Sequence, residues 1–151
     1  MKKITATILI CFSVLFVSAQ TATDSIKTVI NNLFVAMKES NGNGITACFA
    51  DGAILQTIAT NKEMKTIIEN DSVATFARIV QSMPKGNGDE RVVYDAIHID
   101  GPMAAVWAPY EFYYKGKFSH CGVDHFVMIR QDGLWKIQYL VDTRRKQGCK
   151  Q

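Results

Sequence analysis

Between residues 104 and 145 apolar and polar side chains alternate in runs rich in aromatic and β-branched residues, the period of a half-buried strand. Lys115-Gly116 and Asp132-Gly133 interrupt these runs, and each places glycine where a two-residue hairpin loop needs positive φ. Three long antiparallel strands joined by two tight turns are predicted. Two-residue loops pair Trp107 with Asp124 and Glu111 with His120 across the first hairpin, and Phe126 with Tyr139 across the second. In that register one face collects Trp107, Glu111, Tyr113, Phe118, His120, Asp124, Phe126, Met128, Trp135, Ile137, Tyr139 and Val141. The other collects Tyr110, Phe112, Tyr114, Ser119, Cys121, Val123, His125, Val127 and Ile129, with Lys136, Gln138, Leu140 and Asp142. Neither face is purely polar, so both are expected to be covered. The first reads as the inside of a cup, the second as a back that meets another surface.

Upstream the period changes. Ile26, Val29, Ile30, Leu33, Phe34 and Met37 recur at the spacing of one helix face, with Thr23-Asp24-Ser25 as cap chemistry before them and Asn41-Gly42 as the stop. Asn43-Gly44 opens a short second helix with Ile45, Cys48 and Phe49, and Asp51-Gly52 turns it into a strand over 53–58. Residues 61–69 have no decisive period. Asp71-Ser72 caps a third helix with Val73, Phe76, Ala77, Val80 and Met83 on one face, ending before Pro84. A strand over 91–99 and the turn Asp100-Gly101-Pro102 lead into the three long strands. The order helix, helix, strand, helix and then four antiparallel strands predicts an α+β fold with helices on one side of a mostly antiparallel sheet.

Composition adds the frame around this domain. The 151 residues are 48% hydrophobic and 21% charged, enough for one domain with an adequate core and too few for a second. Lys2-Lys3, the apolar stretch over 4–17 and Val17-Ser18-Ala19 have the three parts of a secretory signal peptide, too short for a comfortable membrane span. Cleavage after Ala19 is expected, leaving a single domain over 20–151 in the periplasm or outside the cell, without a membrane anchor. Cys11 follows the bulky Ile10 within a continuing apolar run, unlike a lipid-anchor signal. The formal charge of +3 falls to +1 on cleavage, because two lysines leave and no acid does. Arg144-Arg145-Lys146 is a short basic run without interleaved aromatics and reads as a solvated end, so no nucleic-acid partner is expected. Cys48, Cys121 and Cys149 remain in an oxidising compartment, an odd number that allows at most one internal disulfide. Cys121 with Cys149 is the first pairing to test, since Cys121 lies opposite Arg144 in this register and the tail can fold back; buried unpaired thiols are the alternative.

Local strings then tie the chain to a family. Phe49-Ala50-Asp51-Gly52-Ala53 at the second helix to first strand junction and Asp132-Gly133-Leu134-Trp135-Lys136-Ile137 at the last hairpin resemble the nuclear transport factor 2-like superfamily, which includes ketosteroid isomerases and SnoaL-type cyclases. The resemblance covers essentially the whole mature chain. It implies three N-terminal helices packed on a strongly curved sheet forming a cone with an internal pocket. Gly116-Lys117-Phe118-Ser119-His120-Cys121-Gly122, with Asp142-Thr143-Arg144-Arg145-Lys146 and Cys149, is further similar to a group of short exported proteins of this fold. Matching the junction to ketosteroid isomerases places their general base near Thr57, between Gln56 and Ile58, and their helix-one tyrosine near Asn32 or Leu33. Neither position carries the needed group. Their second oxyanion-hole acid has a counterpart at Asp124, within Val123-Asp124-His125-Phe126.

The candidate chemistry is the polar cluster on the cup face. Glu111 opposite His120 would raise the histidine pKa, and Asp124 among Trp and Phe side chains would have its own raised by desolvation. Asp124, His120 and Glu111 are therefore the candidate acid or base groups, with Trp107, Phe126, Tyr139 and Tyr94 as apolar walls. The structural alternative is an ion pair at the rim and an aspartate bonded to backbone. His120, Cys121, Asp124 and His125 resemble a metal set only in sequence, because alternation splits them between two faces. His120 and Asp124, on one face, lie about 13 Å apart along the strand at ~3.3 Å per residue, so no metal and no cofactor is expected. The expected function is an exported accessory domain that binds a small apolar or aromatic molecule in its cone. The alternative is a cyclase-, isomerase- or dehydratase-type enzyme using the same acids. A homodimer through the convex sheet face is expected from an outward row of Tyr110, Phe112 and Tyr114 beside Val123, Val127 and Ile129.

Overall fold

The structure, a computed structural model, describes residues 16–149; residues 1–15, with Cys11 and most of the expected signal peptide, lie outside the described residues. Helix α1 (Phe16–Lys38) starts earlier than its cap signal. Thr23-Asp24-Ser25 lies within it, and the hydroxyls of Ser25 and Thr28 donate to the carbonyls of Thr21 and Asp24, both at 2.7 Å. That back-bond lets small polar residues sit inside a helix. The apolar stripe falls where the period puts it, with Ile26, Ile30, Leu33 and Met37 buried and Val35 on the far side exposed. Asn41 caps α2 (Gly42–Cys48) by accepting from the Gly44 N–H at 2.9 Å. Ser72 caps α3 (Val73–Ser82) through the Thr75 N–H at 3.0 Å, and Ala77 and Val80 are buried.

Seven strands make one sheet: β1 (Phe49–Thr60), β2 (Thr66–Asp71), β3 (Gly88–Val92), β4 (Ala96–Asp100), β5 (Met103–Tyr114), β6 (Lys117–Gln131) and β7 (Leu134–Thr143). They run in the order β2-β1-β7-β6-β5-β3, with β4 also pairing with β5. All pairings are antiparallel except that of β1 with β7. The sheet curls around the helices without closing, an α+β cone. Residues 61–69, undecided by period, contribute to β2, and the expected strand over 91–99 is broken into β3 and β4, both paired with β5. One apolar cluster joins Ile26, Ile30 and Phe34 of α1 to Val106 of β5, Phe126 of β6 and Ile137 of β7. The Phe34 and Phe126 rings meet edge to face with centroids 6.4 Å apart.

Both tight turns form as predicted, with positive φ at Lys115, Gly116, Asp132 and Gly133. Beside the turns the pairing is the expected one, Tyr113 with Phe118 and Met128 with Ile137. Each hairpin then slips by one residue. The ladder shifts between Phe118 and His120, and again between Ile137 and Tyr139, so β6 and β7 each carry one extra residue there, Ser119 and Gln138. Beyond the bulges His120 faces Phe112 instead of Glu111, Asp124 faces Ala108 instead of Trp107, and Phe126 faces Leu140 instead of Tyr139. Because side chains alternate with a period of two, one extra residue turns the rest of a pairing over. Tyr110 and Phe112, expected outside, therefore share the inner face with His120 and Asp124, whereas Trp107, Glu111, Tyr139 and Val141 lie outside. The inner face of β6 itself is as expected: Asp124, Phe126 and Met128 are buried, alternating with half-buried Val123, His125 and Val127.

The tail returns to the sheet. Cys121 is disulfide-bonded to Cys149 with Cα atoms 5.8 Å apart, and Cys121 exchanges two 2.9 Å backbone bonds with Arg145. The partner is one residue beyond the expected Arg144, the same one-residue slip. Cys48 is buried and unpaired.

Candidate carboxyl-lined site in the cone

Four strands place a row of partners across the inside of the cone: Thr57 of β1 opposite Asp142 of β7, Asp142 opposite Asp124 of β6, and Asp124 opposite Ala108 of β5. Two acids directly opposite one another repel if both are charged, so their surroundings must treat them differently. Asp142 is surrounded by donors. Thr57 Oγ1 donates to its Oδ1 at 2.5 Å, and Arg144 Nε donates to Oδ2 at 2.7 Å in an ion pair. The Tyr110 hydroxyl lies 3.2 Å from the same Oδ2 and 3.0 Å from the Thr143 carbonyl oxygen.

Asp124 has no such shell. It is only 4% exposed, and its Oδ2 has no hydrogen-bond partner. Its neighbour is a third acid, Glu90 of β3, close enough for each carboxyl to act on the ionisation of the other. Two neighbouring carboxyls shielded from water cannot readily both be charged. Burial, reinforced by the nearby Glu90 and Asp142 charges, holds Asp124 well above the usual carboxylate range. Burial likewise pushes Glu90 up to about 7, opposed by the adjacent Asp124 carboxyl and by the Arg144 guanidinium, and reinforced by the Asp142 charge. Ionising both carboxyls is therefore unfavourable, beside a third acid fixed by an arginine.

Tyr110 reaches this site because residue 122, its partner on β6, is glycine. A Cβ there would lie 1.7 Å from the Thr143 carbonyl oxygen and 2.8 Å from the Tyr110 ring. Burial first, then the surrounding acids, raise the Tyr110 pKa, so its hydroxyl stays a donor. His120 packs against Phe112 and Tyr110 with ring centroids 5.1 and 5.7 Å away, its Nδ1 3.1 Å from the Ser119 hydroxyl. Burial, and then the Arg144 charge, lower its pKa.

A cavity of about 240 Å³ opens over these groups. Leu33, Phe34 and Met37 of α1, Phe76 of α3, Leu55 and Leu140 form its apolar wall. Glu69 and Asp71, both exposed on β2, stand at its edge. Although three carboxyls meet inside, no set of His, Cys, Asp and Glu among the described residues is placed to hold a metal ion. A larger open groove of about 840 Å³ runs between α1, α2 and the turn from β6 to β7. Its Lys136 is engaged with the Ala47 carbonyl, and it has no buried polar group left unpaired among the described residues.

Of the residues expected here, Asp124 and His120 line the cavity. Glu111 does not: it sits outside, accepting from the Tyr113 hydroxyl at 2.8 Å. Trp107 is 49% exposed beside His125 on the outer face. Tyr139 is also outside, its hydroxyl donating to Gln56 at 2.5 Å. Phe126 faces inward but is wholly buried in the core and takes no part in the cavity lining. Tyr94 belongs to the join between the sheet and α1, donating to Asn31 Oδ1 at 2.8 Å. All four corrected wall residues trace to the two bulges or to core packing. Glu90, Asp142, Tyr110, Thr57 and Arg144 were not singled out as site residues by their sequence pattern. The isomerase-like junction did carry a signal, since it pointed to Thr57 as a site position.

A measurement on stability follows from the pair. A carboxyl whose folded pKa is raised favours folding below its ordinary value, 4.5 for glutamate, and this advantage is lost as pH rises to about 7. The depressed pKa of His120 acts in the opposite sense below 6.5, so the comparison must be between variants. Thermal melts should show Glu90→Gln gaining on wild type steadily from about pH 4.5 to about pH 7. A constant difference across that window would mean that the Glu90 carboxyl is solvated.

The sequence profile of the family described as "Putative lumazine-binding" matches residues 21–139. No curated protein matches the chain. Among solved structures, a nuclear transport factor 2-like protein of unknown function from Shewanella baltica superposes with a TM-score of 0.67 at 12% identity, over 89% of this chain and 100% of that one. A protein of unknown function from Mycobacterium tuberculosis gives 0.68 at 13% identity, over 88% and 78%. A nuclear transport factor 2-like protein of unknown function from Methylobacillus flagellatus gives 0.61 at 21% identity, over 83% and 93%. At these identities the likeness is one of fold.

Proposed function

The chain belongs to the family described as "Putative lumazine-binding", within the nuclear transport factor 2-like superfamily, and on that premise we propose that it is an exported domain that binds a small molecule in its cone. The observation that carries this reading is Asp124 Oδ2, a buried polar atom left unpaired beside a cavity of about 240 Å³. Leaving such an atom without a partner costs about 1–3 kcal/mol, a cost that a bound donor removes. The wall of Leu33, Phe34, Leu55 and Leu140 takes an apolar or ring-shaped body, and the carboxyl end takes its polar edge. The family's description fits that division, since lumazine is a flat heterocycle with a polar edge. Export is supported by the start of the family match at residue 21, just past Ala19. Native mass spectrometry of the protein purified from its own host tests both points. A mass corresponding to a chain from Gln20 plus one small non-covalent adduct is expected; an uncleaved chain with an empty cone contradicts the proposal.

A second reading rests on the same carboxyls. Two adjacent carboxyls with raised pKa values, with Tyr110 and a depressed-pKa histidine beside them, are equipped to move a proton to or from a bound molecule. That is the isomerase-, cyclase- or dehydratase-type alternative. Turnover of the native adduct, abolished in Asp124→Asn, would favour it over simple binding.

The outer face supports a second proposal, a homodimer. Ile68 pairs with Ile58, Ile54 with Tyr139, Tyr139 with Val127, and His125 with Trp107, an apolar band across five strands. Ile54 and Ile68 are 51% and 60% exposed. This band replaces the expected Tyr110 and Phe112 row, which lies inside. Sedimentation velocity at micromolar concentration should give a dimer that Trp107→Asp dissociates. A monomer for the wild type ends the proposal.

A further inference from the structure

The charges around the cavity are lopsided. Glu90, Asp124 and Asp142 lie inside, with Glu69 and Asp71 at the edge, against a single guanidinium, Arg144. That guanidinium is already committed to Asp142. The other groups facing the carboxyls add no positive charge. Tyr110 is a neutral donor, the lowered pKa of His120 favours its neutral ring, and α1 and α3 present only Leu33, Phe34, Met37 and Phe76. Lys146 acts on His120 from the tail. An anionic ligand would therefore meet uncompensated negative charge in a desolvated site. A neutral donor would satisfy Asp124 Oδ2 without letting Glu90 and Asp124 ionise together. A cation would do both, its N–H groups bonding Oδ2 and its charge standing in for a proton on the two carboxyls.

Resting on the cone as a ligand site, we propose that its natural ligand is a small organic cation: an apolar or aromatic body bearing a protonated amidine-, guanidine- or amine-type nitrogen whose N–H groups bond Asp124 Oδ2 and the facing Glu90 carboxyl. The atom balance is an exchange. The cation enters, and the proton held between Glu90 and Asp124 leaves to solvent, so the charge in the site changes little. Binding then tightens as pH rises towards about 7 and falls by up to tenfold per pH unit below it, the signature of one proton released per ligand bound.

Three probes of nearly one shape separate the charge classes: benzamidine, neutral benzamide and anionic benzoate. Isothermal titration of wild type at about pH 5, 6 and 7, in two buffers of different ionisation enthalpy, reads affinity and proton release together. Benzamidine should bind at least tenfold more tightly than benzamide at pH 7, benzoate should not bind, and close to one proton should be released at the lower pH. Glu90→Gln, checked for folding by its melt, should flatten the pH dependence, and Asp124→Asn should abolish the preference for the cation. Benzamide or benzoate binding as well as benzamidine would overturn the cation while leaving the cone as a small-molecule site. Failure of all three at millimolar concentration would also overturn it, and native mass spectrometry would then judge the cone reading independently.

Discussion

Gly122→Ala is expected to cost at least about 3 kcal/mol in urea unfolding, the upper end for forcing atoms into a packed interior. The added Cβ would lie 1.7 Å from the Thr143 carbonyl oxygen, a backbone atom that cannot turn aside as a side chain can. Relief requires β7 to move from β6 just where Asp142, Thr143 and Arg144 build the site. It also requires the Tyr110 ring, 2.8 Å away, to shift, so the hydroxyl loses its place between Asp142 and the Thr143 carbonyl. Stability and ligand affinity should therefore fall together. Gly101→Ala provides the control, because its position has positive φ and open space, so only backbone strain of about 1 kcal/mol is added there. A Gly122→Ala protein as stable as the control would mean that Tyr110 does not lie over Gly122.

Cys149→Ser is expected to cost about 3.6 kcal/mol, the loop-closure value for a separation of 28 residues. The effect should not stop at stability. The tail that the bond anchors begins at Arg144, whose guanidinium holds Asp142, and continues through Arg145, which is bonded to the Cys121 backbone. Releasing it loosens the guanidinium that holds Asp142 and should weaken ligand binding more than a remote variant of equal stability loss does. Reduction of the wild type with dithiothreitol should reproduce the variant's melt. A reduced protein that melts with the oxidised one would exclude the bond as a structural clip.

The helices, the two turns and the α+β order were legible because each has a local cause: the 3.6 period from Ile26 to Met37, the Asn41-Gly42 stop, the Ser72 cap, and Lys115-Gly116 and Asp132-Gly133. The burial of Asp124 and the link from Cys121 to Cys149 were legible too, since both depend on β6 and on the position of the tail. The faces of β5 and of the second half of β7 were not. A β-bulge at Ser119 or Gln138 leaves no mark in residue type, yet it exchanges Trp107 for Ala108 and Tyr139 for Leu140 inside the cone. Glu90 escaped for another reason. Its strand is interrupted after Val92, and one of two adjacent acids in Gly-Asn-Gly-Asp-Glu-Arg reads as part of a solvated turn until the curl of the sheet carries it to Asp124.

A crystal structure of the protein purified from its own host tests the ligand-binding cone most directly. The account predicts density for a small molecule between Phe34, Leu55 and Leu140, with a nitrogen within hydrogen-bond distance of Asp124 Oδ2. A cone filled by its own side chains, with Asp124 Oδ2 bonded to a protein donor, would contradict it.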